Sequence, residues 1–307
     1  MNCLETPNTT QDRAKTLLQT PPNMRPAAII LTHRRAKTFT TRKLLLDLGW
    51  PWLIYLLVEQ RDPDLPEYKR LYGDEVLIYD REQVEVDYFD NNGPTSVAVH
   101  ARNATNDWCR KLGITHQLQC DDDLYGCHLS TELNNDLRWL YHWRVSRLPE
   151  WCQHYLFPYV CLQLWQLIDR VPFMRAACIG MSSDCAGKVY LTRRKVMQAI
   201  LISQRKPITF SARFNEDVTT YVTLNSLGEV TPEFDLIVQQ SKPTQVRSGG
   251  MSNEYKQVGT YIKTFYTVLR WPESITIADL GLVWRIHHFI RPHIYPKIVP
   301  PTVRKPD

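Results

Sequence analysis

Three short apolar segments near the start of the chain constrain its fold most strongly. Residues 27–31, 52–58 and 75–79 are predominantly apolar, and a stretch with helical spacing separates each segment from the next. An apolar run without alternation is typical of a strand that is buried on both faces. The strand–helix–strand–helix–strand order therefore predicts an α/β fold with a mostly parallel, doubly wound central sheet and flanking helices. In such a sheet, the ligand crevice lies at the carboxyl ends of the strands.

The rest of the chain gives a more mixed pattern. We predict helices over 102–112, 193–203 and 253–269, strands over 114–120 and 176–181, and two or three helices between 133 and 171. The segments 219–224 and 234–238 flank a turn-like sequence, which predicts an antiparallel pair of strands. The pattern thus combines a sheet with a helix-rich insertion.

The composition is that of a folded globular protein. Of the 307 residues, 43% are hydrophobic and 22% are charged, which excludes a disordered or collagen-like chain. No uncharged apolar window reaches the roughly 18 residues of a membrane span, and the polar N-terminus lacks an apolar signal-peptide core. The 8 cysteines show no CxxC spacing, so we expect reduced thiols. These features predict a cytoplasmic protein without a membrane segment.

The net charge is small but unevenly distributed. Residues 1–153 contain 18 basic and 21 acidic side chains, whereas residues 154–307 contain 19 basic and 11 acidic ones. The overall charge of +5 therefore divides into −3 and +8. A basic half is suited to contact with a polyanion such as DNA, although uneven charge is also common in enzymes that bind no nucleic acid.

The strongest local signal is a run of three aspartates, Asp121, Asp122 and Asp123, at the end of the predicted fourth strand. Adjacent carboxylates repel one another, and a divalent cation such as Mg²⁺ or Mn²⁺ relieves that repulsion because it prefers oxygen ligands. In a nucleotide-binding sheet, one carboxylate is suited to bind a metal that bridges a diphosphate, and another to contact the ribose. The alternative is a solvated acidic turn or a helix N-cap.

Polar side chains also lie next to the other predicted strands. Threonine and histidine are able to hydrogen-bond a base or a ribose, and arginine offsets the charge of a diphosphate. Each position is equally compatible with an ordinary surface loop or a helix cap. The candidates for nucleotide binding are Thr32, His33 and Arg34 after the first strand, Glu59 after the second, and Arg102 and Asn103 before the fourth.

The second half of the chain contributes candidate acceptor and metal residues. Glu216 and Asp217 follow an apolar run, where one carboxylate is suited to act as a general base toward an acceptor hydroxyl; a polar loop is the alternative. His288 is a candidate to complete a metal site, or a structural histidine. The basic segments 193–195 and 205–206 suit phosphate contacts or a solvated surface. The chain has no P-loop, GxGxxG, GxSxG or HExxH motif, so we expect phosphate binding to depend on a metal.

The order of these motifs is itself informative. The motifs are, in chain order, Thr32–Arg34, Arg102 with Asn103, Asp121–Asp123, Asn215–Asp217, Gly249–Ser252 and Tyr261–Tyr266. The first part of the set resembles a GT-A glycosyltransferase. The whole set resembles the TET/JBP-associated glycosyltransferase family, which occurs in phages that hypermodify their DNA and in some eukaryotic relatives. The resemblance covers roughly residues 27–290.

The resemblance implies transfer of a sugar, glucose or a pentose such as arabinose, from a UDP-sugar to the hydroxymethyl group of 5-hydroxymethylcytosine in phage DNA, with Mn²⁺ or Mg²⁺ bound. It implies that Asp121 and Asp123 match the metal-binding DxD positions, and that Asp217, or else Glu216, acts on the acceptor. Under the resemblance, Thr32, His33 and Arg34 match the nucleotide loop after the first strand, and Arg102 and Asn103 match the Arg-Asn pair before the fourth. Asp122 and Glu59 are further candidates for contacts with the UDP-sugar.

Composition and the resemblance together predict how the chain is organised. We expect a polar arm over 1–26, a GT-A-like domain over 27–290 and a Pro-rich basic tail over 291–307. Within the domain, 27–130 is expected to form the nucleotide-sugar-binding half, and 131–290 the helical insertion and the acceptor half.

Three other functions stay open at the level of sequence. The first is a glycosyltransferase that acts on a protein or a small molecule. The second is a metal-dependent nucleotidyltransferase or nuclease, because clustered aspartates also serve two-metal phosphoryl transfer. The third is a non-catalytic DNA-binding protein on the same kind of sheet.

Overall fold

A computed structural model describes residues 18–86, 98–130, 142–181, 197–241, 262–279 and 286–290. Its strands are β1 (Pro26–Leu31), β2 (Leu53–Glu59), β3 (Val76–Tyr79), β4 (His116–Asp121), β5 (Leu124–Ser130), β6 (His142–Arg144), β7 (Ala176–Met181), β8 (Ala199–Ser203), β9 (Glu233–Ser241), β10 (Ile275–Asp279) and β11 (Ile286–Ile290). Its helices are α1 (Thr41–Asp47), α2 (Leu65–Tyr72), α3 (Ala98–Leu112), α4 (Glu150–Arg170), α5 (Glu216–Ser226) and α6 (Ile262–Arg270). Among these helices, none is both long and apolar enough to cross a membrane.

The predicted α/β fold and its parallel half-sheet are confirmed. Nine strands form one sheet in the order β3-β2-β1-β4-β8-β7-β9-β5-β6, and the first four of these run parallel to one another. In the other half, β7 and β9 pair parallel and the remaining neighbours pair antiparallel, so the sheet as a whole is mixed. β10 and β11 pair in a separate two-stranded sheet.

The residues of β1 show how the central strands are covered on both faces. Ala28 and Ile30 pack in a core cluster that includes Trp165 of α4, whereas Ala27 and Ile29 pack in a cluster with apolar side chains of α3. Alternate side chains of a strand point to opposite faces of the sheet. The unbroken apolar run is therefore buried by α4 on one face and by α3 on the other.

Two local predictions in the second half are wrong. Residues 199–203, predicted as the end of a helix, form β8, and all five of its side chains are buried where the strand pairs with β4 and β7. Residues 219–224, predicted as a strand because they flank a turn-like sequence, lie in α5. The hydroxyls of Thr220 and Thr223 donate to backbone carbonyls four residues earlier, which satisfies these groups within the helix.

The helix α4 is one element of 21 residues, where the sequence predicted two or three helices between 133 and 171. Pro158 lies inside it, and proline has no N–H to donate to the carbonyl of His154 one turn earlier. Gly49, which follows α1 with a left-handed φ of 70°, packs against that same carbonyl. A Cβ atom at Gly49 would lie 2.2 Å from the His154 oxygen, so only glycine fits there.

This contact predicts a large effect of a small substitution. Gly49→Ala is expected to lower the free energy of unfolding by about 2–3 kcal/mol, because a steric clash is added to an unfavourable left-handed backbone. Gly228→Ala is the matched control: Gly228 follows α5 with a φ of 83°, but nothing lies within 4 Å of its Cβ position. We expect a loss of about 1 kcal/mol there. Chemical denaturation measures both; equal losses would contradict the contact.

Candidate functional site

The carboxyl ends of β1, β2 and β4 meet at one edge of the sheet. Leu31 pairs with Leu57 on one side and with Asp121 on the other, so the residues that follow these strands lie side by side. The loop after β1 is therefore next to the aspartates of the β4–β5 turn. The first turn of α5 lies at the same edge, because Glu216 and Asp121 each accept a hydrogen bond from Arg102.

Arg102 is at the centre of this site. The residue is only 2% exposed, and its guanidinium donates from Nε to Glu216 Oε1 (2.8 Å), from Nη1 to Gln119 Oε1 (2.9 Å) and from Nη2 to Asp121 Oδ1 (3.0 Å). Although burial lowers the pKa of Arg102, the surrounding carboxylates raise it above its ordinary value, so the group stays charged. One buried cation thus joins carboxylates from the two halves of the chain.

The positions of Arg102 and Asn103 differ from the prediction. They lie inside α3, which begins at Ala98, and not at the start of the helix. Asn103 Oδ1 accepts from the N–H of Phe210 (2.7 Å), and its Nδ2 donates to the Phe210 carbonyl (3.0 Å). Both side chains are buried and bonded to protein groups. They hold other elements in place, which argues against the predicted direct contacts with a UDP-sugar.

The pKa values of two carboxylates at the site are raised. Burial, together with the neighbouring carboxylates, raises the pKa of Asp121 to about 7 despite the opposing charge of Arg102. Burial and the charge of Glu216 raise the pKa of Asp217 to about 7. The Asp121 side chain is still 33% exposed, so it is accessible to a ligand. Excess negative charge of this kind is relieved when a cation binds.

The raised pKa of Asp217 predicts a pH-dependent gain in stability on substitution. The folded state holds the proton more tightly than the unfolded state, so the free energy of unfolding falls as pH rises from about 4 to 7. Asp217→Asn removes this penalty. In EDTA, we expect the substitution to be more stabilising at pH 8 than at pH 5 by about 1–2 kcal/mol. Denaturation at both pH values tests this, and an identical effect at the two would contradict the shift.

Asp122 has a different environment from the aspartates beside it. Its buried carboxylate accepts from Thr32 Oγ1 (2.9 Å) and forms an ion pair with Arg35. The Thr32 hydroxyl lies 2.7 Å from Tyr68 Oη, which accepts the backbone N–H of Arg35 (3.0 Å). Thr32 and Asp122 are thus together, but they bond to each other and fix the loop after β1. This argues against their predicted direct contacts with the UDP-sugar.

His33 and Arg34 surround Asp62. Asp62 Oδ2 lies 2.8 Å from His33 Nδ1 and accepts the backbone N–H of Arg34 (2.9 Å). Although burial raises the pKa of Asp62, these contacts hold it below its ordinary value. The His33 ring is partly exposed and the Arg34 side chain is exposed, so both stay candidates for donor contacts. Glu59 is buried at the end of β2, and its Oε1 has no hydrogen-bond partner among the described residues.

Three residues of this site were missed from the sequence. Arg35 adjoins the Thr-His-Arg motif, and that adjacency was its only signal. Asp62 lies in the loop after β2, where it resembles any turn residue. Tyr68 is a buried α2 residue whose hydroxyl reaches the loop after β1. Only the folded chain brings them together: Asp62 contacts His33 and Arg34, and Tyr68 contacts Thr32.

Unusual backbone conformations gather around the same edge. In the described part of the chain, the non-glycine residues with left-handed φ are Arg34 (53°), Gln198 (62°), Ala212 (77°) and Asn215 (52°). Arg34 is in the loop after β1, the carbonyl of Gln198 accepts the N–H of Asp121 (2.8 Å), and the other two are in the loop that leads into α5. Such conformations cost free energy and cluster at functional sites. They identify this edge independently of the carboxylates.

The turn between β4 and β5 fits a cation that is shared with a phosphate ligand. Asp121 and Asp123 are both partly exposed, whereas the carboxylate of Asp122 between them bonds to residues of the loop after β1. Over the described ranges, no group of three or more His, Cys, Asp and Glu side chains could hold a metal by itself. Mg²⁺ and Mn²⁺ commonly bind through one or two carboxylates, with phosphates and water as the other ligands. His288 is on β11, opposite Ile277, and its side chain lies outside the described part.

Of the other sequence candidates, the basic pair 205–206 has protein partners. Lys206 Nζ donates to backbone carbonyls where α4 ends, and Arg205 lies 3.2 Å from Asp169. The partial negative charge at the carboxyl end of a helix stabilises positive side chains at these positions. The basic segment 193–195 and the segment 249–252 lie outside the described residues.

The sequence matches a known protein family over most of its length. The family model described as TET-Associated Glycosyltransferase matches residues 27–250, well over half of the chain. The chain belongs to this family. The resemblance seen in the ordered motifs is therefore confirmed, and the protein is a glycosyltransferase by family. No curated protein matches this TET-associated glycosyltransferase in sequence.

Solved structures show a distant likeness to this TET-associated glycosyltransferase. Glucosyl-3-phosphoglycerate synthase from Mycobacterium tuberculosis, in complex with Mn²⁺, UDP and phosphoglyceric acid, is 10% identical over 94% of this chain and 93% of that chain, with a TM-score of 0.49. The same synthase in complex with Mn²⁺ and UDP-glucose is 10% identical over 94% of this chain and 92% of that chain, with a TM-score of 0.47. The assignment rests on the family match and not on this likeness.

Proposed function

We propose that this protein transfers a sugar, glucose or a pentose such as arabinose, from a UDP-sugar to the hydroxymethyl group of 5-hydroxymethylcytosine in DNA, with Mn²⁺ or Mg²⁺ bound. The single observation that carries the proposal is the convergence of Asp121 and Glu216 on one buried arginine at the carboxyl edge of the sheet. This is the edge where α/β sheets bind nucleotides, in a chain that belongs to a glycosyltransferase family.

The donor side of the proposed site is the turn between β4 and β5. Asp121 and Asp123 would hold the divalent cation, with His288 as a third candidate ligand. When bound, the cation supplies positive charge that offsets the diphosphate of the donor and of the departing UDP. His33, Arg34 and Glu59 are the candidates for contacts with the nucleoside, since the first two are accessible and Glu59 Oε1 has no hydrogen-bond partner within the described ranges.

The acceptor side is the first turn of α5. Glu216 Oε1 accepts a hydrogen bond of 2.8 Å from Arg102, whereas Asp217 Oδ1 accepts from the backbone N–H of Val218 and the Asp217 side chain is partly exposed. Asp217 is therefore the better candidate for a general base that takes the proton of the acceptor hydroxyl. Its pKa of about 7 suits proton transfer near neutral pH.

The acceptor is proposed to be DNA because the second half of the chain carries the excess of positive charge, 19 basic against 11 acidic side chains. The substituent at the 5-position of cytosine faces the major groove, but an enclosed crevice would require the base to be flipped out of the duplex. For a phage-encoded protein, the expected place of action is the cytoplasm of the host.

A transfer assay tests the proposal. The protein is mixed with Mn²⁺, UDP-glucose, UDP-arabinose or UDP-N-acetylglucosamine, and DNA that contains 5-hydroxymethylcytosine; released UDP and the DNA mass are measured. We expect UDP release and a mass gain of one sugar per modified base, with no gain on the same DNA made with unmodified cytosine. UDP release without a DNA mass gain would mean that the sugar passes to water or to the protein itself, which would overturn DNA as the acceptor, and DNA cleavage would assign a nuclease.

A further inference from the structure

One guanidinium serves two parts of the site that are far apart in the sequence. Arg102 Nη2 bonds Asp121 at the end of β4, on the donor side, and Nε bonds Glu216 in the first turn of α5, on the acceptor side. The Glu216 side chain is only 9% exposed, so water screens its charge poorly. A change in the charge of either carboxylate therefore alters how strongly the Arg102 guanidinium neutralises the other.

Gln119 and Phe210 also fix the position of the guanidinium, so that it does not move toward one carboxylate when the other changes. Gln119 Oε1 accepts from Nη1, while Gln119 Nε2 donates to the Arg102 carbonyl (3.1 Å) and to Thr105 Oγ1 (3.0 Å). The ring of Phe210 lies under the guanidinium, with Cζ 5.5 Å from the ring centre. The backbone of Phe210 is in turn fixed by Asn103. The arginine is thus a rigid bridge and not a mobile surface cation.

We propose that Arg102 is a positioning residue that couples the donor side of the site to the acceptor side. A divalent cation that binds Asp121 competes with Nη2 for that carboxylate. Glu216 holds the charge of Arg102 on the far side and so limits the competition. Without the charge of Glu216, the guanidinium neutralises Asp121 alone and opposes the cation more strongly. This coupling rests on the proposed function for the nature of the ligand, a metal-bound nucleoside diphosphate.

A double-mutant cycle tests the coupling without measuring activity. Mn²⁺ is titrated by electron paramagnetic resonance, alone and with UDP, into the wild type, Glu216→Gln, Arg102→Lys and the double variant. We expect Glu216→Gln to weaken Mn²⁺·UDP binding about tenfold in the wild type and about twofold or less beside Arg102→Lys. Lysine keeps the positive charge but lacks the fork that bonds both carboxylates. A purely structural defect would reduce the number of sites, not the affinity of the folded ones.

The outcomes separate the coupling from the proposed function. An equal effect of Glu216→Gln in both backgrounds would overturn the coupling, because the two carboxylates would then interact only through space. A wild type that binds no UDP in the presence of Mn²⁺ would overturn the proposed donor site and the coupling with it.

Two further variants keep the test decisive. If Arg102→Lys does not fold, Gln119→Leu takes its place, because it frees Nη1 and leaves the arginine and both carboxylates intact. The effect of Glu216→Gln on Mn²⁺·UDP affinity is then expected to fall to about threefold. An undiminished effect would overturn the proposal. Glu75→Gln is the control. It breaks a bidentate pair with Arg42 (2.7 and 2.8 Å) on the surface, and the affinity for Mn²⁺·UDP is expected to stay unchanged.

Discussion

Arg102→Met is expected to lower the free energy of unfolding by about 3–5 kcal/mol and to abolish sugar transfer. The substitution keeps a long apolar stem but leaves Glu216, 9% exposed, and Asp121 without their shared cation. It also leaves Gln119 Oε1 without the donor that it has in the folded protein. Removing one partner of a buried ion pair is costly because the desolvated charge that remains has no compensation. Chemical denaturation with a two-state fit measures the loss.

Arg42→Met is the matched control for that prediction. Arg42 also makes two hydrogen bonds to a glutamate, but the side chains of Arg42 and Glu75 are 29% and 36% exposed. Surface pairs of this kind contribute little, so we expect a loss of at most about 1 kcal/mol. If the two variants lost the same stability, the buried network around Arg102 would not be the centre of the site.

Asp123→Asn is expected to reduce sugar transfer about a hundredfold or more while the protein stays folded. The asparagine has the same shape but no charge for a divalent cation. Because it also removes one of several clustered negative charges, the free energy of unfolding should change by less than about 1 kcal/mol. Transfer rates at saturating Mn²⁺, together with a denaturation curve, measure both quantities.

Asp122→Asn is the contrasting variant in the same turn. It weakens the ion pair with Arg35 and the bond from Thr32, so we expect a loss of about 1–3 kcal/mol in stability. The affinity of the folded protein for Mn²⁺ should be unchanged. If Asp123→Asn retained full transfer and Asp122→Asn lost metal binding, the roles given to these two aspartates would be exchanged.

The first half of the fold was predictable because its signals are local. The runs over 27–31, 52–58 and 75–79 are buried on both faces, and such strands are unbroken apolar sequences wherever they occur. Each run ends abruptly at polar residues, which fixes where the carboxyl edge lies. The aspartates that follow β4 could therefore be placed beside the loop after β1 before the register Leu31–Asp121 was known.

The second half was less predictable because packing overrides local preference there. The β-branched residues of 219–224 favour a strand, yet tertiary contacts and back-bonded threonines place them in α5. Two or three helices were predicted where α4 is continuous, because proline usually breaks a helix; here the carbonyl that Pro158 leaves without a donor lies against Gly49. The role of Arg102 depended on a partner 114 residues away, Glu216, and no spacing rule connects such positions.

The donor site proposed at the carboxyl edge of β4 would bind a nucleoside diphosphate through a divalent cation. Calorimetric titration of UDP into the wild-type protein, once with Mn²⁺ and once with EDTA, tests it most directly. We expect clear binding with Mn²⁺ and none in EDTA, because two clustered carboxylates repel a diphosphate unless a cation lies between them. Binding of equal affinity in EDTA would contradict the claim.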